Sequence, residues 1–86
     1  MLYGFQETKD QIPSQILDTC LDGAGKTKLV YGVNLNFRTI NLHLDILLAN
    51  GLLEVAEGPL VLYRTTEKGA QVLEHFREIE RLMLHP

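Results

Sequence analysis

Between Asn36 and Gly51 the chain places Phe37, Ile40, Leu44, Leu47 and Leu48 at i, i+3, i+7, i+10 and i+11. That spacing lays a wide apolar stripe along one side of a helix, and such a stripe must be buried against other elements. Asn36 is suited to cap the helix start, because its side chain can accept from a free backbone N–H. Asn50-Gly51 resembles a hairpin turn but follows a helical pattern. A helix end at Gly51, with Leu52 packing back, is therefore expected, and the helix spans 37–50. The opposite face carries Arg38, Thr39, Asn41, Leu42 and Asp45, with His43 at its edge.

The rest of the chain arranges itself around that rod. Ile12, Ile16, Leu17, Cys20 and Leu21 predict a first helix over 9–22, starting near Lys9 or Pro13. Pro13 suits its first turn, where a missing N–H costs nothing, and Gly23-Ala24-Gly25 stops it. A short helix over 26–32 turns Leu29 and Val30 inward, and Gly32 ends it. Leu53–Ala56 and Leu60–Thr65 read as two strands of a hairpin over 53–65, broken at Glu57-Gly58-Pro59. Thr66 caps a last helix over 67–84, with Glu67 favouring its positive end. In that helix Val72, Phe76, Ile79 and Met83 repeat at 4-3-4, a short coiled-coil-like seam, and Leu73 and Leu82 widen it. Residues 1–8 allow either an edge strand or a packed arm. The order of helix, helix, helix, hairpin and helix predicts an α+β, mainly α, winged helix-turn-helix: three helices, a hairpin wing and a C-terminal dimerisation helix.

With 86 residues, one domain over 1–86 is expected, and its core is thin. A further interface burying apolar surface would help it, and helix 67–84 is apolar on more than one stripe. No apolar run approaches the ~18 residues of a membrane span. The first residues lack the pattern of a secretory signal. The single cysteine, Cys20, excludes an internal disulfide and points to the reducing cytoplasm. The net charge is −3, against the basic surplus usual in nucleic-acid binders. Its distribution matters more than its sum. Only residues 23–45 are positive, at +2, from Lys26, Lys28 and Arg38 against Asp45. That sign suits phosphate.

Gly23-Ala24-Gly25-Lys26-Thr27 looks like the end of a phosphate-binding loop. The full signature needs glycine at position 20, which is Cys20, and a preceding strand where the pattern is helical. His43, His75 and His85 are scattered, so no metal site is expected. Cys20 reads as a small core residue. No serine or cysteine has a base nearby, so no catalytic site, cofactor or small-molecule ligand is expected. Arg38 with Asn36, Thr39 and Asn41 is the best chemical constellation, since Arg pairs with guanine edges, Asn with adenine, and Thr with phosphates or bases. The plain alternative is a solvated helix face. Leu42 leaves three readings open: a thymine methyl contact, a partner surface, or a lone exposed leucine. The wing tip bears Glu57 where a minor-groove reader would carry a cation. Arg64, near the wing base, is the one positive side chain available there.

Lys26-Thr27-Lys28-Leu29-Val30-Tyr31, Asn34-Leu35-Asn36-Phe37, Leu44 through Leu47-Leu48, Gly51-Leu52-Leu53-Glu54 and Tyr63-Arg64-Thr65-Thr66-Glu67-Lys68-Gly69, in that order, resemble an archaeal winged-helix family of small predicted transcriptional regulators. Its members include chromatin-like proteins that dimerise through an antiparallel coiled coil of their last helices. The likeness covers about residues 9–84. It implies that Lys26, Thr27 and Lys28 lie near a DNA backbone. It also implies that Asn36, Arg38, Thr39, Asn41 and Leu42 occupy the outer side of a recognition helix, and that Val72, Phe76, Ile79 and Met83 lie where partners join. Many relatives carry basic or longer polar residues at the positions of Asn41 and Leu42, and a tyrosine at that of His43, so this reading face is poorer in charge. The expectation is a cytoplasmic, nucleoid-associated homodimer that binds double-stranded DNA. The rival expectation, favoured by the net acidity, Glu57 and Leu42, is a protein-interaction module without DNA contact.

Overall fold

A computed structural model describes the backbone of residues 4–84, and the side chains of residues 12–83. Four helices and one hairpin follow in the order α1 (Gly4–Thr19), a single 3₁₀ turn (Cys20–Asp22), α2 (Lys26–Val33), α3 (Phe37–Ala49), β1 (Leu53–Ala56), β2 (Leu62–Thr65) and α4 (Glu67–Leu84). The strands pair antiparallel, with Leu53 opposite Thr65 and Ala56 opposite Leu62. The helix-rich winged plan read from the sequence is the plan of the molecule.

The core lies where the inner faces of α1, α2 and α3 meet the hairpin base and α4. Ile16, Leu17, Cys20, Leu29, Ile40 and Leu44 are its largest fully buried side chains. Leu47, Leu53, Tyr63 and Leu73 complete its edges. The stripe on α3 is therefore anchored as its spacing requires. Phe37 is the exception at 52% exposed. As the first helical residue it projects back past the helix end, beyond the layer built by Ile40 and Leu44.

Backbone caps fix the ends of α3. Asn36 Oδ1 accepts from Thr39 N at 2.8 Å. At the other end Gly51, at φ 72, takes the left-handed conformation. Gly51 N donates to Leu48 O (3.1 Å) and Leu52 N to Leu47 O (2.9 Å), the paired bonds of a Schellman cap. The α4 cap joins the same corner. Thr66 Oγ1 accepts from Gly69 N and donates to Gly51 O, while Lys68 Nζ donates to Asn50 O.

Four expectations need correction. The first helix begins at Gly4 and not near Lys9 or Pro13, so Phe5 is helical and Pro13 sits inside the helix. Gln6, Glu7, Lys9 and Gln11 are fair helix formers, but a polar stretch carries no apolar period to reveal it. The expectation for Leu2 and Tyr3 lies outside the described residues. Leu21 is 40% exposed, because the tighter 3₁₀ turn swings it off the α1 face. Gly32 does not stop α2. The helix continues to a buried Val33 and ends at Asn34, whose φ of 63 supplies the left-handed step. Asparagine adopts that region more readily than other non-glycine residues. Finally, β2 begins at Leu62, leaving Leu60 and Val61 exposed in the wing loop.

Candidate nucleic-acid interface

With Ile40, Leu44 and Leu47 fixed inward, the helical repeat turns Arg38, Leu42, Asp45 and Ile46 outward, and all four are exposed. Thr39, Asn41 and His43 are half-buried along the flanks. Asn36 is exposed, but its Oδ1 is committed to the cap. Arg38 thus stands in the first turn of α3 as the single cation of that helix. Its planar fork of donors suits carboxylates, phosphates and guanine edges. Ile46 was not picked out from the sequence. Its position four residues after Leu42, opposite the buried stripe, was the available signal.

Lys26, Thr27 and Lys28 are exposed in the first turn of α2. Gly25 precedes them in extended conformation with no side-chain cap. The glycine-rich stretch ahead of them is strand-like. Ala24 N donates to Tyr63 O (2.9 Å), and Tyr63 N donates to Ala24 O (2.8 Å). This bridge fastens the entry of α2 to the wing. The peptide groups that a phosphate loop would offer at Ala24 are already spent. Thr65 Oγ1 adds a bond to Leu17 O at 2.6 Å, tying β2 to α1.

Arg64 is exposed on β2, directly opposite Glu54 on β1. Opposite charges facing each other across a ladder attract and offset one another. With Glu57 also exposed, the wing carries two carboxylates against one guanidinium. Leu60 and Val61 give its loop an apolar surface.

A family model described as winged helix-turn-helix matches residues 6–84. The chain belongs to the winged helix-turn-helix family. No curated protein matches the sequence. Among solved structures, this winged helix-turn-helix chain is similar to Sso10a-2, a DNA-binding protein from Sulfolobus solfataricus. The TM-score is 0.78 and the identity 30%, over 85% of this chain and 78% of that one. It also shares its fold with the transcriptional regulator BldR from Sulfolobus solfataricus (TM-score 0.79, 23% identity, 85% of this chain and 56% of that one). The MarR family regulator SPO1453 from Silicibacter pomeroyi has the same fold (0.71, 19%, 90% and 61%).

In this winged helix-turn-helix chain α4 divides into two halves. Leu73 is buried, and Val72 and Phe76 are half-buried against the core. Arg77 pairs with Asp18 of α1 through a hydrogen-bonded ion pair. Beyond it, Ile79, Leu82 and Met83 are 52%, 71% and 61% exposed. The seam expected from Val72, Phe76, Ile79 and Met83 is therefore covered at one end and open at the other. An open polar groove beside the ion pair is lined by Ser14, Gln15, Asp18, Leu73, Arg77 and Glu80. Cys20 is sealed in the core, and burial pushes its thiol from 9.0 up to about 11, with Lys28 pulling weakly the other way. A thiol so placed is a poor nucleophile. Among the described residues no three of His, Cys, Asp and Glu gather to hold a metal ion, and His85 lies outside them. No described helix is long and apolar enough to cross a membrane.

Proposed function

We propose that the chain binds double-stranded DNA as a homodimer and acts as a transcriptional regulator or nucleoid-associated protein of the cytoplasm. One observation carries this reading: Arg38 stands on the open side of a helix whose other side is locked in the core, in a chain 30% identical to a DNA-binding protein. In this reading α3 enters a major groove with Arg38, Thr39, Asn41 and Leu42 toward the bases and Asn36 at the groove edge. Lys26, Thr27 and Lys28 hold phosphates at the start of α2, where helix N–H groups reinforce them. Arg64 is the wing's one cationic contact. The open half of α4, with Ile79 and Met83, joins two copies and sets the spacing of half-sites about one DNA turn apart.

Titration of a mixed-sequence duplex by fluorescence anisotropy over a salt series tests the proposal. Affinity should fall with salt at a log-log slope of about −0.9 per phosphate neutralised. Arg38→Ala should weaken binding by about 1–3 kcal/mol if Arg38 reads a base. Unchanged affinity in that variant would show that another surface makes the contact.

A second reading rests on the outward Leu42 and Ile46 and on the acidic wing: a protein-interaction module with the same fold. Absence of any complex with duplex at low salt and micromolar protein would favour it.

A further inference from the structure

The outward side of α3 is not a polar face with one stray leucine. Leu42 is 59% exposed and Ile46 is 50% exposed, and neither belongs to the core cluster. They stand one helical turn apart, with Arg38 one turn before Leu42 on the same side. Four residues rise about 6 Å along a helix, and stacked bases rise about 3.4 Å. Two side chains so spaced meet bases about two steps apart.

We propose that Leu42 and Ile46 read the 5-methyl groups of thymine, making the chain selective for A·T-rich duplex. The inference rests on the DNA-binding reading above and adds the base chemistry to it. Among the four bases only thymine offers an apolar group to the major groove, and an aliphatic side chain has no donor or acceptor with which to read the others. Asp45 is exposed beside the ridge. Its carboxylate can accept from the amino group of adenine or of cytosine, so the choice of A·T over G·C rests on the methyl contacts alone. The ridge is continuous with the cationic end of the same helix at Arg38. The guanidinium at that end suits the phosphates that flank the bases of a duplex, and this favours a duplex occupant over a folded protein.

Replacing thymine by uracil removes the methyl and leaves the Watson–Crick edge and charge intact. The full chain is titrated at low salt with a 30-base-pair A·T duplex, with the same duplex carrying uracil for thymine, and with a G·C duplex. The wild type and a Leu42→Ala/Ile46→Ala variant are compared, and circular dichroism confirms that the variant is folded. The expected result is that wild type binds the thymine duplex more tightly, by about fourfold per contacted methyl, while the variant binds thymine and uracil duplexes alike. Equal wild-type affinity for both duplexes overturns the methyl-reading inference and leaves DNA binding standing. Discrimination that persists in the variant overturns the assignment to these two residues. Failure to bind any of the three duplexes removes DNA binding itself, and the inference with it.

Discussion

Gly69 lies against the carbonyl of Leu52: a Cβ at position 69 would fall 2.1 Å from Leu52 O and 2.8 Å from Thr65 Cγ2. The first turn of α4 can approach the end of the α3 cap only because residue 69 has no side chain. Leu52 O is held there by Thr66 N at 3.1 Å, so it cannot retreat without losing a bond. Alanine is ordinarily the better helix former by about 1 kcal/mol. Here the clash wins, and Gly69→Ala should destabilise the fold by about 1–3 kcal/mol, read as a lower denaturant midpoint.

Gly32 should respond in the opposite direction. It lies inside α2, and a Cβ there meets nothing within 4 Å. Gly32→Ala should therefore raise stability by about 0.5–1 kcal/mol, by reducing the freedom of the unfolded chain. The two glycines, compared in one denaturation series, separate the contact effect from the propensity effect.

Cys20 predicts an alkaline weakening. Its thiol titrates near 11 in the fold against an ordinary 9.0. The unfolded chain therefore loses this proton first, and binds fewer protons than the folded chain between those values. Stability falls across that window and is unaffected by this group below it. Denaturation midpoints from pH 8 to pH 11 should decline more steeply for wild type than for Cys20→Ala. Thiol reagents at neutral pH should label Cys20 only after unfolding.

Ile79 tests the open half of α4. Being 52% exposed, it can be changed to lysine with little effect on the fold of one chain. If the seam joins two copies, sedimentation should show a dimer for wild type and a monomer for Ile79→Lys. The wild-type melting temperature should also rise with concentration. A monomeric wild type at tens of micromolar would remove the seam as an interface.

What could be read in advance was whatever is encoded within one or two turns of chain. Asn36, Gly51 and Thr66 each cap a helix through a bond to a residue three positions away, and the period through Ile40, Leu44 and Leu47 needs no knowledge of the partner surface. The failures are tertiary or directional. Phe37 fits the period but overhangs the helix end, and Leu21 fits it until the backbone tightens. Ala24 pairs with Tyr63, far along the chain, and nothing local announces that bond. At the candidate interface Arg38 and Leu42 were legible because they oppose the stripe. Ile46 has no polar group to set it apart from the other apolar residues of α3, so its outward place is plain only in the fold.

The Ala24–Tyr63 bridge makes the hairpin something other than a loose appendage. Because the residue two places ahead of Lys26 is stitched to the middle of β2, a push on the wing is felt at the mouth of α2. Whatever surface the hairpin leans on, it leans with the lysines as one lever, and the two can adjust to a curved object only together.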